Sequence, residues 1–115
     1  EVDFADITVI VAKDEEESVD NIITLSKKYS FEGKVIEEID LRGIEGLTTL
    51  KMQEIEKLYR KTTKNVSSVP ELTLDYAIVV AHVLTDLPIE LFRQISAKDT
   101  MKIKNRIVNF LYSGE

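Results

Sequence analysis

The run LTLDYAIVVAHVL, residues 72–84, constrains this chain more than any other stretch. On a helical wheel its polar side chains Asp75 and His82, with Asp86 just beyond, fall on one narrow stripe. Leu74, Tyr76, Ala77, Ile78, Val79, Val80, Ala81, Val83 and Leu84 take every other direction. A helix apolar nearly all round belongs in an interior, since burying each larger side chain is worth roughly 1.5–3 kcal/mol before chain entropy is subtracted. The other segments are expected to cover it. At 115 residues the chain has the size of one domain, read as a ribbon region over residues 1–46 and a helical region over 47–115.

The cover begins with residues 7–12, ITVIVA, whose β-branched side chains predict a strand. The acidic run Asp14, Glu15, Glu16, Glu17 lacks the alternate spacing and glycine of a calcium loop and reads as a solvated turn. Residues 22–26 and 34–40 predict two short strands, with Tyr29, Phe31 and Gly33 in a loose hairpin loop between them. Two strands alone are marginal in water, so the ribbon must lean on helices or gain a third strand. Residues 7–12 of the same chain or of a neighbouring subunit are the candidates for that strand.

Arg42-Gly43-Ile44-Glu45-Gly46 is a glycine-bracketed bend. A GxxG loop clamps nucleic acid in KH domains, where it joins two helices. Here it follows a strand, and Asp40 and Glu45 repel phosphate, so a plain turn is the reading.

A helix is predicted over residues 49–61, capped by Thr48 or Thr49, with Met52, Ile55, Leu58 and Tyr59 on one face. Glu56 and Arg60 stand four apart in the favourable order. A polar loop over residues 62–70 separates it from the central helix, which runs from near Thr73 to Leu87-Pro88. Pro88 suits the start of a short helix, residues 89–95, with Leu91, Phe92 and Ile95 apolar. Ser96 and Asp99 resemble a capping box and open the last helix, residues 97–112. The fold class is α+β, predominantly α: a small N-terminal β-ribbon followed by a compact bundle of about four helices.

Composition removes several classes of function. A net charge of −6, with no basic cluster larger than Arg60, Lys61 and Lys64, argues against nucleic-acid binding. The absence of cysteine excludes disulfides, thiolate metal sites and cysteine nucleophiles. No apolar run approaches the ~20 residues of a membrane span, and no basic-then-apolar start predicts a signal peptide.

Chemistry is equally sparse. His82 lies seven residues after Asp75 and four before Asp86, the outline of a general base or an oriented metal ligand. No nucleophile, second histidine or glycine-rich phosphate loop accompanies it, so it reads as a histidine satisfied by a neighbouring carboxylate. Glu37 and Glu38 are too local for paired acid–base work, and Tyr29 and Phe31 read as caps on the core. No catalytic residue, metal or cofactor is assigned, and the chain is expected not to be an enzyme.

The last helix carries the most information. Ile103, Ile107, Phe110 and Leu111 make one apolar face, enough to dock on the central helix. Ala97, Met101, Val108 and Tyr112 form a second stripe along an adjoining face. That is more apolar circumference than one core contact uses, and large exposed apolar patches mark interaction sites. Either the ribbon or the N-terminal strand covers this stripe, or it binds a partner or a second copy. Met101, Val108 and Tyr112, with Phe92 as a neighbour, are the candidate partner-binding residues.

From Ile23 onward the order of signals resembles the small tail assembly chaperones of long-tailed bacteriophages and prophages. The segments concerned are LSKKYSFEGKVIEEIDLRGIEGLTTLKMQEIEK and PELTLDYAIVVAHVLTDLPIELFRQISAKDTMKIKNRIVNFL. Within them, FEGKxxxEIDL leading to GLT, then YxxxxAxxxxxPxExFxxIxxxD, carry the likeness. The resemblance covers about the C-terminal four-fifths of the chain and leaves residues 1–21 without a counterpart. It implies a non-enzymatic protein that binds the tape measure protein, keeps it soluble until the tube polymerises, and self-associates. It also implies residence in the host cytoplasm and absence from the mature virion. Two other readings stand beside it: a head–tail connector or tail completion protein of the particle, and a small ligand- or metal-binding domain built on Asp75, His82 and Asp86.

Overall fold

A computed structural model of the chain describes residues 21–113. The strand expected at residues 7–12 and the acidic run at 14–17 lie outside the described residues. A two-stranded antiparallel hairpin, β1 (Ile22–Phe31) and β2 (Lys34–Asp40), precedes four helices: α1 (Thr49–Thr62), α2 (Leu74–Thr85), α3 (Ile89–Gln94) and α4 (Ala97–Ser113). Short 3₁₀ turns at Arg42–Gly46 and Pro70–Leu72 lead into α1 and α2. The architecture is α+β and mostly α.

The hairpin is longer and tighter than its sequence suggests. β1 continues through Tyr29 to Phe31, and only Glu32 and Gly33 turn the chain, at φ 51° and 81°. Positive φ at both positions is what a two-residue turn needs to match strand twist, and glycine adopts it without a Cβ penalty. Ile22 pairs with Asp40 and Thr24 with Glu38, but Tyr29 pairs with Ile36. Leu25, Ser26, Lys27 and Lys28 are thus set against Glu37 alone, a wide bulge in β1.

α1 starts where Thr48 Oγ1 accepts the Lys51 amide at 3.1 Å, and the Arg60–Glu56 pair forms at 2.9 Å. α2 is the centre. Tyr76, Ala77, Ile78, Val79, Val80 and Ala81 are all buried, which requires cover on every side of the helix. α1, α3, α4, β2 and both 3₁₀ turns supply it. The ends of α2 emerge from this cover: Leu74 is 41% exposed, and Val83 and Leu84 are half-buried. Asp86 closes the helix in the left-handed conformation at φ 64°, its amide donating to the His82 carbonyl at 2.8 Å. Ile23, Leu25, Ile39, Leu41 and Ile44 bring the ribbon and the first 3₁₀ turn into the same core.

Candidate interaction surface

One buried carboxylate fixes α4 against the ribbon. Ser96 caps the helix, its Oγ accepting the Asp99 amide at 3.2 Å. In a capping box the Asp99 side chain would return to the Ser96 amide. Instead Tyr29 Oη takes that amide at 2.9 Å and donates to Asp99 Oδ2 at 3.3 Å. The freed carboxylate accepts the Ser26 amide at 2.8 Å and the Ser26 hydroxyl at 3.0 Å. Lys102 Nζ stands 3.8 Å away and donates to the Thr24 carbonyl at 3.0 Å. Burial pushes the Asp99 pKa up, but hydrogen bonds from the Ser26 amide and hydroxyl, Ser96 and Tyr29 outweigh it. The carboxyl is held below its ordinary value. The bulge in β1 exists where this carboxylate needs donors.

With that face of α4 anchored and Ile103 and Ile107 in the core, the opposite face turns outward. Met101 is 42% and Tyr112 59% exposed, while Val108 is half-buried. Phe92, grouped with them from sequence, is 1% exposed and belongs to the core. It lines a hollow of about 330 Å³ between α2, α3 and α4, where Leu74, Ile78, Ile95 and Met101 also stand, with Asp75 and Arg93. The surface therefore consists of Met101 and Tyr112, Val108 between them, and an apolar hollow beside Met101.

Leu74 belongs to this surface and sequence reasoning assigned it to the core. Its place at the first position of α2, one turn before the fully buried stretch, was the available signal. Leu72, 48% exposed in the preceding 3₁₀ turn, lies on the same approach to α4.

The polar stripe on α2 is divided between two hollows: His82 and Asp86 line one of about 430 Å³ with Glu32, Lys34 and Pro88, while Asp75 lines the one beside Phe92 and Met101. His82 Nδ1 lies 2.7 Å from the Leu87 carbonyl, so that nitrogen carries a proton and donates it. The partner is the backbone just past the helix end, not the carboxylate of Asp75 or Asp86. Among the described residues, no cluster of three or more His, Asp or Glu side chains has the arrangement of a metal site. A larger open cleft of about 590 Å³ separates α1 from the loop before α2. Tyr76 stands in it beside Glu56 and Glu71, and its pKa is pushed up to about 12, first by burial and then by those two carboxylates. Tyr76 also meets Tyr59 edge to face at 5.6 Å, which ties the cleft wall to the core.

No helix among the described residues is long and apolar enough to cross a membrane. Comparisons with protein-family models, curated proteins and solved structures give no match to this chain.

Proposed function

We propose that this chain is a tail assembly chaperone of a long-tailed bacteriophage or prophage. It binds the tape measure protein in the host cytoplasm, keeps it soluble while tube protein assembles, and leaves before the particle matures. It performs no covalent chemistry and needs no cofactor.

The sequence resemblance motivates the reading, and one observation carries its mechanism: Met101 and Tyr112 are large apolar side chains exposed on the outer face of α4. A helical client presents apolar anchors at i, i+3, i+4 and i+7, and such a stripe beside a hollow receives them as a helix-in-groove contact. The net charge of −6 keeps the chain itself dispersed while that apolar face is open.

The test is co-expression with a tape measure fragment, measuring soluble yield and co-elution. Met101→Asp with Tyr112→Asp is expected to abolish both while leaving the far-UV circular dichroism unchanged. Client binding by the folded double variant at the wild-type level would dismiss the surface. Finding the protein in fixed copy in purified particles would replace the chaperone with a connector.

A further inference from the structure

Two tyrosines meet between α1 and α2, and the fold uses only one of their hydroxyls. Tyr59 is fully buried, and its hydroxyl accepts the Ser67 amide at 3.0 Å, which pins the loop after α1. Tyr76, the third residue of α2, is 4% exposed, yet its hydroxyl makes no hydrogen bond to any described residue. Buried phenol hydroxyls ordinarily find a partner. This one belongs instead to the wall of the 590 Å³ cleft, and Glu56 and Glu71 in the same wall stand close enough to raise its pKa.

The cleft is preformed. Besides the Ser67 bond, the Val69 amide donates to Ser67 Oγ at 3.0 Å and the Thr73 hydroxyl to the Pro70 carbonyl at 2.8 Å. Thr73 Oγ1 in turn accepts the Tyr76 amide at 3.1 Å. A concave site with fixed walls and a few polar groups is the usual form of a ligand site.

Charge selects the ligand. The charged residues lining the cleft are Glu56, Arg60 and Glu71. Arg60 Nη2 donates to Glu56 Oε2 at 2.9 Å, and Glu56 Oε1 makes no hydrogen bond. Glu71 is half-buried and has no hydrogen bond or ion pair with any described residue. Two carboxylates against one guanidinium leave a negative charge unmatched, so the occupant is a cation. A metal ion is a poor fit, because two carboxylates fall short of a cluster of three or more His, Asp or Glu. Three acceptors remain on the cleft wall: Glu56 Oε1, the Glu71 carboxylate and Tyr76 Oη. A primary ammonium carries three N–H donors and no acceptor. Met52 and Pro70 line the same cleft and offer apolar contact to an aliphatic stem. We infer that the cleft between α1 and the start of α2 binds a primary ammonium group on an aliphatic stem, either a free alkylamine or the lysine side chain of a peptide. The site lies apart from the α4 stripe and does not depend on the client proposed above.

The full-length chain is titrated at neutral pH with n-pentylamine and with Nα-acetyl-lysine amide, following the Tyr59 and Tyr76 ring resonances by NMR. Both amines are expected to shift them at about millimolar concentration. The neutral analogues n-pentanol and Nα-acetyl-norleucine amide, which keep the stem and lose the charge, are not. Glu71→Gln, nearly identical in shape, should weaken binding about tenfold, since it removes a charge-assisted hydrogen bond. Tyr76→Phe should weaken it about threefold, read at Tyr59. Because the Tyr76 hydroxyl bonds nothing in the fold, an unchanged thermal midpoint separates lost binding from lost structure. Glu90→Gln, an exposed carboxylate on α3 outside the cleft, should bind as wild type does and controls for attraction by net charge. Tighter binding of the lysine amide assigns the cleft to a peptide lysine, and tighter binding of the alkylamine to a free amine. No shift with either amine up to about 10 mM, equal shifts with the neutral analogues, or equal binding by Glu71→Gln and Glu90→Gln overturns the inference.

Discussion

The Asp99 carboxylate accepts the backbone amide of Ser26 at 2.8 Å across 73 residues of chain, joining the first helical turn of α4 to a bulge in the first strand. A helix N-terminus favours a carboxylate, and the bulge offers an amide that the β ladder does not use. Each element supplies what the other lacks. Asp99 is fully buried, so losing its donors or its charge is costly.

Asp99→Ala is expected to lower unfolding stability by about 3 kcal/mol, since it strands the Ser26 amide and the Tyr29 hydroxyl together. Asp99→Asn keeps one acceptor and should lose about 2 kcal/mol. Urea midpoints at neutral pH measure both, and an unchanged midpoint for either would refute the role given to this carboxylate.

The pH dependence follows from the same group. Its pKa is lower folded than unfolded, so the folded state binds fewer protons and stability is gained as pH rises. That contribution is complete above the ordinary carboxyl value of 3.8 and is lost as pH falls through the lower folded value. Between pH 5 and pH 2, wild type should lose more stability than Asp99→Asn, so the gap between their urea midpoints narrows.

Tyr29→Phe removes the hydroxyl that serves Ser96 and Asp99 at once, at an expected cost of about 1–2 kcal/mol. Combined with Asp99→Asn the losses should fall short of additive, because both variants break one network. A double-mutant cycle with zero coupling would show the two residues acting independently.

Phe92 and Met101 line the same hollow and should behave oppositely. Phe92→Ala empties a core site and is expected to cost about 3–5 kcal/mol. Met101→Ala, at an exposed position, should cost less than about 1 kcal/mol while weakening client binding. Thermal unfolding and co-elution separate the two.

Tyr76 should be visible in an alkaline absorbance titration as a phenol ionising near pH 12, absent from Tyr76→Phe. The folded state holds this proton more tightly than the unfolded state, whose tyrosine titrates near 10. Stability therefore falls as pH rises from 10 towards 12, and the Phe variant should lack that component.

The helices were legible because their signals are local. Thr48, Thr73 and Ser96 each cap the helix that the sequence places after them, and Glu56 finds Arg60. The apolar run in α2 announced a buried helix because only the narrow stripe of Asp75 and His82 is left to face water. The wide apolar circumference of α4 marked a second stripe but left open whether the chain covers it; the fold decides that Met101 and Tyr112 are exposed. Less legible was the ribbon, where Lys27 and Lys28 hide the continuation of β1 because the alternation is broken by a bulge.

Where the last helix carries its Asp99 is written in the sequence; what that carboxylate binds is not. A capping box is a local pattern, and spacing alone directs Asp99 to Ser96. Only the packed fold brings Tyr29 between them and presents Ser26, because donors far apart in the chain meet once the hydrophobic core has closed. The same closure takes Phe92 inside and leaves Leu74 out: periodicity sets the face a side chain occupies on its own helix, and the neighbouring elements determine whether that face meets water.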